Sequence, residues 1–282
     1  MRITNKLGLP QPIVDAVKND NYTRGPHDIS VTTLCGPARV AALQEKYSSV
    51  IEEDAADRVW SLMGQLMHLL LERADTTGLS EHRLSMQIDD WSISGQVDRY
   101  FDGVLQDYKF VPIMKVQDGV PQEYLEQLNC YAELLRRNGH VVKKIELIAI
   151  LRDWAKSRTY TERNYPPKNI VVLEVPLWSP DECYRFIQNR VVIHKKARLG
   201  DLPECTPQER WAKKTTFAVK EKGAKQAMRG GVFGTLAEAE EFLLALPNPE
   251  KAFIEHRPGF SPRCELYCNV NQFCDQYRKI KS

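Results

Sequence analysis

The segment "GQVDRYFDGVLQDYKF" at residues 95–110 constrains the fold of this chain more than any other stretch. Asp102-Gly103 sits between two strand-like runs, and an Asp-Gly pair in that setting predicts a two-residue hairpin turn. With those two residues as the loop, Phe101 pairs with Val104. Counting outward then sets Asp98 opposite Asp107 and Gln96 opposite Lys109. Side chains alternate between faces along a strand, so Asp98, Asp107 and Lys109 share one face. Directly opposed Cβ atoms stand about 4.5–5.5 Å apart, where two carboxylates repel unless a cation lies between them. The same register also fits a solvated hairpin whose acids face water.

Around this hairpin the pattern alternates helices and strands. Residues 1–35, punctuated by Pro10, Pro12, Gly25 and Pro26, read as irregular. A helix starts at Pro37 and runs through "ARVAALQEKY". A longer one covers about 54–75, where Val59, Leu62, Met63, Leu66, Leu69 and Leu70 keep helical spacing. Strands follow over about 83–90, 93–101 and 104–110, then a helix over 121–138 that ends before Gly139. A buried-type strand "KIELIAIL" at 144–151, a strand "NIVVLEVPLW" and a helix over about 180–198 come next. Beyond the loop "GDLPECTPQERW" lie a strand near 215–221, a helix near 235–246 and a strand near 251–257. The expectation is an α/β core over 1–200 and a small α+β subdomain over 201–282, whose cysteine-rich tail packs back on the core.

Charge and termini narrow the function classes. With 39 Lys and Arg against 37 Asp and Glu, no global field draws a polyanion, so nucleic-acid affinity must come from local patches. The N-terminal "MRITNKLGLPQPI" has no apolar signal region, and no run reaches the roughly 18–20 apolar residues of a membrane span. A cytoplasmic protein without a membrane partner is expected. Its seven cysteines then stay reduced, and clustered ones read as metal ligands rather than disulfides.

Two helices carry polar side chains at turn spacing. Gly64, His68 and Glu72 lie four apart on the helix at 54–75. A glycine inside a helix costs about 1 kcal/mol relative to alanine, so its use predicts close approach by another backbone. His68 alone reads as a core histidine or as a ligand, and Glu72 as a surface acid. On the helix at 121–138, Gln127 and Tyr131 are four apart, with Tyr124 one turn earlier. Their polar ends suit a phosphate or an active-site group, or only the edge of an amphipathic helix.

In order along the chain, "GQLMH", "GQVD", "DYK" and "QLNCY" resemble the motifs of the PD-(D/E)XK nuclease superfamily, in its RecB-like branch, over about residues 55–152. The resemblance implies a restriction-endonuclease-like core, a mixed central sheet flanked by helices. It implies that Asp98, Asp107 and the Tyr108 carbonyl chelate Mg²⁺ or Mn²⁺, with His68 completing or positioning the coordination. It places Lys109 beside the nucleophile, and Gln127 and Tyr131 as supports for the site and the DNA backbone. Glu81, just before the first strand, is a supporting acid. The second acidic position is Asp, where Glu is commoner. The implied activity is that of a metal-dependent deoxyribonuclease, an exonuclease on single strands or DNA ends that uses a metal-activated water. A recombination partner protein is implied as well. A nucleic-acid-binding recombination accessory protein of the same fold, with little cleavage, is the alternative; the intact Asp98, Asp107 and Lys109 set argues against it.

The tail "RCELYCNVNQFC" places Cys264, Cys268 and Cys274 within eleven residues, which reads as a metal site. The triplet resembles that of iron–sulfur nucleases in the same branch. Together "VTTL", "ILRDW" and "RCELYC" are most similar to phage- or prophage-borne members, which places the chain in a bacterial or phage-infected cytoplasm. The resemblance implies a [4Fe–4S] cluster. Zinc stays open, because three residues rather than two separate the first pair. Cys205, in "LPECTPQERW", is the better match for the fourth ligand, with Cys35 in "TTLCGPAR" as the alternative; Cys130 and Cys183 read as core. The stretch 211–230 carries Lys213, Lys214, Lys220, Lys222, Lys225 and Arg229, with Trp211 and Phe217 interleaved. It either tracks a phosphate backbone and stacks bases or forms a solvated face.

Overall fold

The computed structural model describes residues 2–19 and 27–281, so Gly25 and Pro26 lie outside the described residues. The chain divides into two compact units, Met1–Pro203 and Glu204–Ser282. The first begins with β1 (Arg2–Thr4), α1 (Gln11–Lys18), β2 (Ile29–Ser30), α2 (Val31–Cys35), α3 (Ala38–Lys46) and β3 (Glu52–Asp54). It continues with α4 (Val59–Ala74), β4 (Leu79–Ile88), β5 (Trp91–Phe101) and β6 (Val104–Val111). It ends with α5 (Gln122–Arg137), β7 (Lys144–Leu151), β8 (Ile170–Val175) and α6 (Pro180–Arg198).

The start of the chain is therefore not irregular. Pro12 sits in the first turn of α1, where a missing N–H costs nothing, and Val14 and Val17 are buried with Ala55. The prolines there mark a helix start rather than a loop. β1 pairs in parallel with β3.

A six-stranded mixed sheet, flanked by helices, holds the core. Its order is β2-β5-β6-β7-β8, and β4 pairs with β5 as well. β4, β5 and β6 form an antiparallel meander, β6 and β7 are parallel, β7 and β8 antiparallel, and β2 joins β5 in parallel. At the β5–β6 turn Asp102 and Gly103 both have positive φ, 45° and 84°, as a type I′ hairpin requires. Phe101 pairs with Val104, Tyr100 with Leu105 and Arg99 with Gln106, the register obtained by counting.

The ladder stops there, one pair short of Asp98 and Asp107, and Gln96 is not paired with Lys109. β6 is drawn along its whole length into eight parallel pairs with β7, while β5 stays with β4. A strand has two edges. β4 takes one edge of β5, so β2 at Ile93 and Ser94 and β6 at residues 99–101 share the other. Gly95–Asp98 lies in the fork between them.

The buried cluster is built from sheet residues such as Val97, Leu105, Ile145 and Leu147, with Leu128, Leu134 and Leu135 of α5 and Ile187 and Val191 of α6. Burying a side chain of this size contributes about 1.5–3 kcal/mol. α5 lies so close to β5 that a Cβ on Gly95 would meet the Tyr131 ring at 2.6 Å and Leu134 at 2.7 Å. Cys130 and Cys183 are buried in the first unit. α4 differs from the other long helices: none of its described residues is fully buried. No described atom lies within 4 Å of where a Cβ on Gly64 would stand, so the expected close backbone approach is absent. No helix among the described residues is long and apolar enough to cross a membrane.

The second unit is a small α+β arrangement. β9 (Thr216–Glu221) is the centre of a three-stranded antiparallel sheet between β10 (Val232–Phe233) and, after α7 (Leu236–Leu244), β11 (Ala252–Arg257). Thr235 and Glu238 form a capping box at the start of α7. The tail closes with α8 (Asp275–Lys281).

Candidate functional site

The fork between β5 and β6 opens into a cleft of about 860 Å³. Asp98 and Asp107 stand at its base, only 9% and 2% exposed. Asp98 Oδ2 accepts the Tyr108 N–H at 2.7 Å, filling the position that the broken ladder leaves. The N–H and C=O of one strand residue point to the same side, so the Tyr108 carbonyl also opens into the fork. Burial, and after it the Asp107 charge, pushes the Asp98 carboxyl up to about 7.

Lys109 Nζ lies 2.5 Å from Asp107 Oδ2 and 5.5 Å from the centre of the Tyr124 ring. Burial works against its charge. Asp107 and then Asp98 outweigh that and hold its pKa above the usual lysine value. Beyond this ion pair, Asp107 Oδ2 has no hydrogen-bond donor among the described residues.

α4 brings His68 over the fork. Its Nδ1 lies 2.8 Å from Glu81 Oε1 and 3.6 Å from Asp98 Oδ1. The Glu81 hydrogen bond, opposed by burial and helped by Asp98, raises the imidazole pKa. Among the described residues, only His68, Glu81 and Asp98 bring three His, Cys, Asp or Glu ligand atoms within 4.8 Å of one another.

Glu81 is inside β4, not before it, and is more central than its sequence context indicates. Ser80 pairs with Arg99 and His82 with Val97, so Glu81 stands across from Asp98. Its φ of 46° breaks the ladder at that point, a conformation that costs a side-chain-bearing residue about 1–3 kcal/mol. Gln96 Nε2 donates to Glu81 Oε2 at 2.7 Å, and Arg83 donates to Gln96 Oε1 at 3.0 Å, which holds the carboxylate in place. Counting outward from the Asp89-Asp90 turn finds this pairing in the sequence; hydrophobic pattern does not.

The donor set suits a hard divalent cation: carboxylate oxygens, one carbonyl and one imidazole. Burial and the neighbouring Asp107 charge, which lift the Asp98 pKa, and a buried Asp107 oxygen held only by Lys109 are the strains that such a cation relieves.

From α5, Gln127 Nε2 donates to the Tyr131 hydroxyl at 3.0 Å and to Thr32 Oγ1 at 3.3 Å. Tyr131 is 6% exposed, and burial, opposed by Lys109, pushes its pKa up, so the hydroxyl keeps its proton. Glu72 is exposed at the cleft mouth.

The cysteines fall into two groups, and among the described residues, which include all seven, no disulfide forms. Cys35 is in the first unit, its Sγ 3.7 Å from Cys130 Sγ. Cys205, Cys264, Cys268 and Cys274 are in the second. Cys205 donates its N–H to Gln276 Oε1 at 2.8 Å and accepts from Gln276 Nε2 at 2.9 Å, which ties it two residues past Cys274. Burial first, then the neighbouring thiols, raises the pKa of Cys264 and of Cys268. No three of these sulfurs lie within 4.8 Å of one another, whereas a tetrahedral zinc with 2.3 Å bonds needs sulfurs about 3.8 Å apart.

Part of the basic stretch is absorbed within the second unit. Lys220 pairs with Glu255, Phe217 stacks on His256 and Trp211 packs edge-on against Tyr267. Lys213, Lys214, Lys222, Lys225 and Arg229 remain exposed.

No protein-family model matches the chain, and no curated protein matches it in sequence. Among solved structures, it is similar to that of SSO0001, at 16% identity and a TM-score of 0.47, over 67% of this chain and 88% of that one. It is similar also to a protein of Eubacterium rectale named as a candidate exonuclease, at 12% identity and a TM-score of 0.34, over 57% and 62% of the two chains. With both TM-scores below 0.5, the functional reading rests on the chain's own residues.

Proposed function

We propose that the chain is a divalent-metal-dependent deoxyribonuclease of the PD-(D/E)XK type, RecB-like branch, acting as an exonuclease on single strands or ends. One observation carries this reading. Asp98, Asp107 and Lys109, on two diverging strands, share one cleft with His68 of α4. His68, Asp98, Asp107 and the Tyr108 carbonyl hold Mg²⁺ or Mn²⁺, and Glu81 joins them. Such a cation, when bound, lowers the pKa of a water and offsets charge on the scissile phosphate.

The protein's own groups do the rest. Lys109, whose Nζ lies against Asp107, orients the attacking water or takes its proton, and offsets phosphate charge. The Tyr131 oxygen accepts from Gln127, which leaves its proton to donate to a phosphate oxygen.

Cys205, Cys264, Cys268 and Cys274 hold a [4Fe–4S] cluster in this reading, with zinc as the alternative. The tie between Cys205 and the tail, two residues past Cys274, supports it. Four thiolates leave no open position, so the centre is structural.

The test is end-labelled single- and double-stranded DNA with Mg²⁺, Mn²⁺ or EDTA. Shortening is expected with either metal and none with EDTA. Asp107→Asn and Lys109→Ala should each slow it by about 10²-fold or more. Undiminished cleavage by both variants overturns the assignment.

A further inference from the structure

The row of α4 that carries His68 continues toward the helix N-terminus, past the group around Asp98. Trp60, Gly64 and His68 are four apart and line up along the helix. Trp60 is 57% exposed, so burial does not account for it. The Arg152 guanidinium lies over its ring, 4.3 Å from the centroid. Phe110, the residue after Lys109, lies beside the ring at 6.4 Å and 41°. Phe110, Ser61 and Gly64 line the catalytic cleft, so this aromatic group is continuous with it.

Gly64 supplies a second, independent observation. A glycine inside a helix is unfavourable relative to alanine, yet a Cβ there would meet nothing within 4 Å. No protein atom requires it. What it provides is a bare floor between Trp60 and His68, which stand about 12 Å apart along the axis at 1.5 Å per residue. A cation stacked on an exposed indole is the combination that takes a base on the ring and a phosphate on the guanidinium.

We infer that Trp60, with Arg152 and Phe110, is a stacking platform for one nucleobase of single-stranded DNA. Gly64 keeps the floor clear for the strand between that base and the phosphate held at Asp98 and Asp107. A paired base cannot reach the platform without leaving its stack, so the platform favours single strands and frayed ends over intact duplex. The inference rests on the nuclease reading and is tested apart from it.

Binding of a fluorescent oligothymidylate is followed by anisotropy with Mg²⁺, in the full chain carrying Asp107→Asn to prevent cleavage. A single abasic site is walked along the strand. Trp60→Ala should weaken binding on the order of tenfold, and Trp60→Phe should recover most of the loss. One abasic position should impose a similar penalty when Trp60 is present and none in Trp60→Ala. Gly64→Leu should raise the melting temperature while weakening binding, whereas a purely structural glycine would lower both. In the cleaving enzyme, Trp60→Ala should raise KM for single strands with little change in kcat. Unchanged binding by Trp60→Ala, or an abasic penalty that persists without Trp60, overturns the platform while metal-dependent cleavage leaves the nuclease reading in place. A parent protein that neither binds nor cleaves single strands overturns both.

Discussion

Asp98 is a carboxyl held against its preference for charge. Its folded pKa of about 7 exceeds the ordinary 3.8, so between these values the folded state holds a proton that the unfolded state has lost. Its contribution to stability therefore falls as pH rises through that window, while cation binding, which needs the ionised form, strengthens. Asp98→Asn keeps an acceptor for the Tyr108 N–H and removes the repulsion. In EDTA at pH 8 it should melt several degrees higher than the parent, and Mn²⁺ should no longer raise its Tm. A lower Tm in EDTA would show that Asp98 is not under strain. His194 carries the opposite sign. Burial, and then Arg190, holds it down to about 4, with Nε2 donating to the Leu34 carbonyl at 3.1 Å. Its contribution is lost as pH falls from about 6.5 to about 4, at most about 3 kcal/mol. Urea unfolding of His194→Gln should show a flatter acid limb over that range. Asp98, Asp107 and Lys109 were legible in the sequence because one Asp-Gly turn sets their spacing locally. Glu81 was legible as a supporting acid but not as a residue within the strand, since a positive φ inside a strand leaves no mark on hydrophobic pattern. Gly64 was legible as an anomaly, but only the surroundings show that it faces open space.

Elements were legible in proportion to how locally they are specified. The repeat in α4 predicts a helix, yet says nothing of which face is covered, and Leu66 and Leu70 are about half exposed. β2 and α2 have two and five residues, too few for any period to register; β2 exists through its pairing with β5, and α2 through burial of Val31 and Leu34 and the Ser30 cap. The early end of the β5–β6 ladder follows from competition with β7, which no local count contains. Contact between α5 and β5 at Gly95 links packing to chemistry. Gly95→Ala sets a methyl 2.6 Å from the Tyr131 ring. Overpacking of this kind costs about 1–3 kcal/mol, and the displaced hydroxyl leaves Gln127. Urea midpoints and cleavage rates should both fall; an unchanged rate with lowered stability would remove Tyr131 from the mechanism.

At the scale of the molecule, the carboxylate cleft and the four-cysteine group belong to different compact units. Cys264→Ser should therefore lower the melting of the second unit and leave Mn²⁺ affinity at the first nearly unchanged, as calorimetry can check. The chain divides near residue 203, in the loop around "LPECTPQERW", and beyond it β10 and α8 carry too little pattern to be seen in the sequence. The shared edge of β5 has a further consequence, in the order of folding. β4, β5 and β6 are successive and joined by two-residue turns, whereas β2 meets β5 across 64 residues. Closing the longer loop costs more entropy, so the meander condenses first and β2 docks late. Val97→Ala should then slow refolding, while Ile29→Ala should mainly speed unfolding, as stopped-flow rates would show. Synthesis on the ribosome reverses the order of appearance. β2 emerges first and has no sheet to join until Ser94 has left the exit tunnel, so a nascent chain stalled before that point holds β2 without the strand it pairs with.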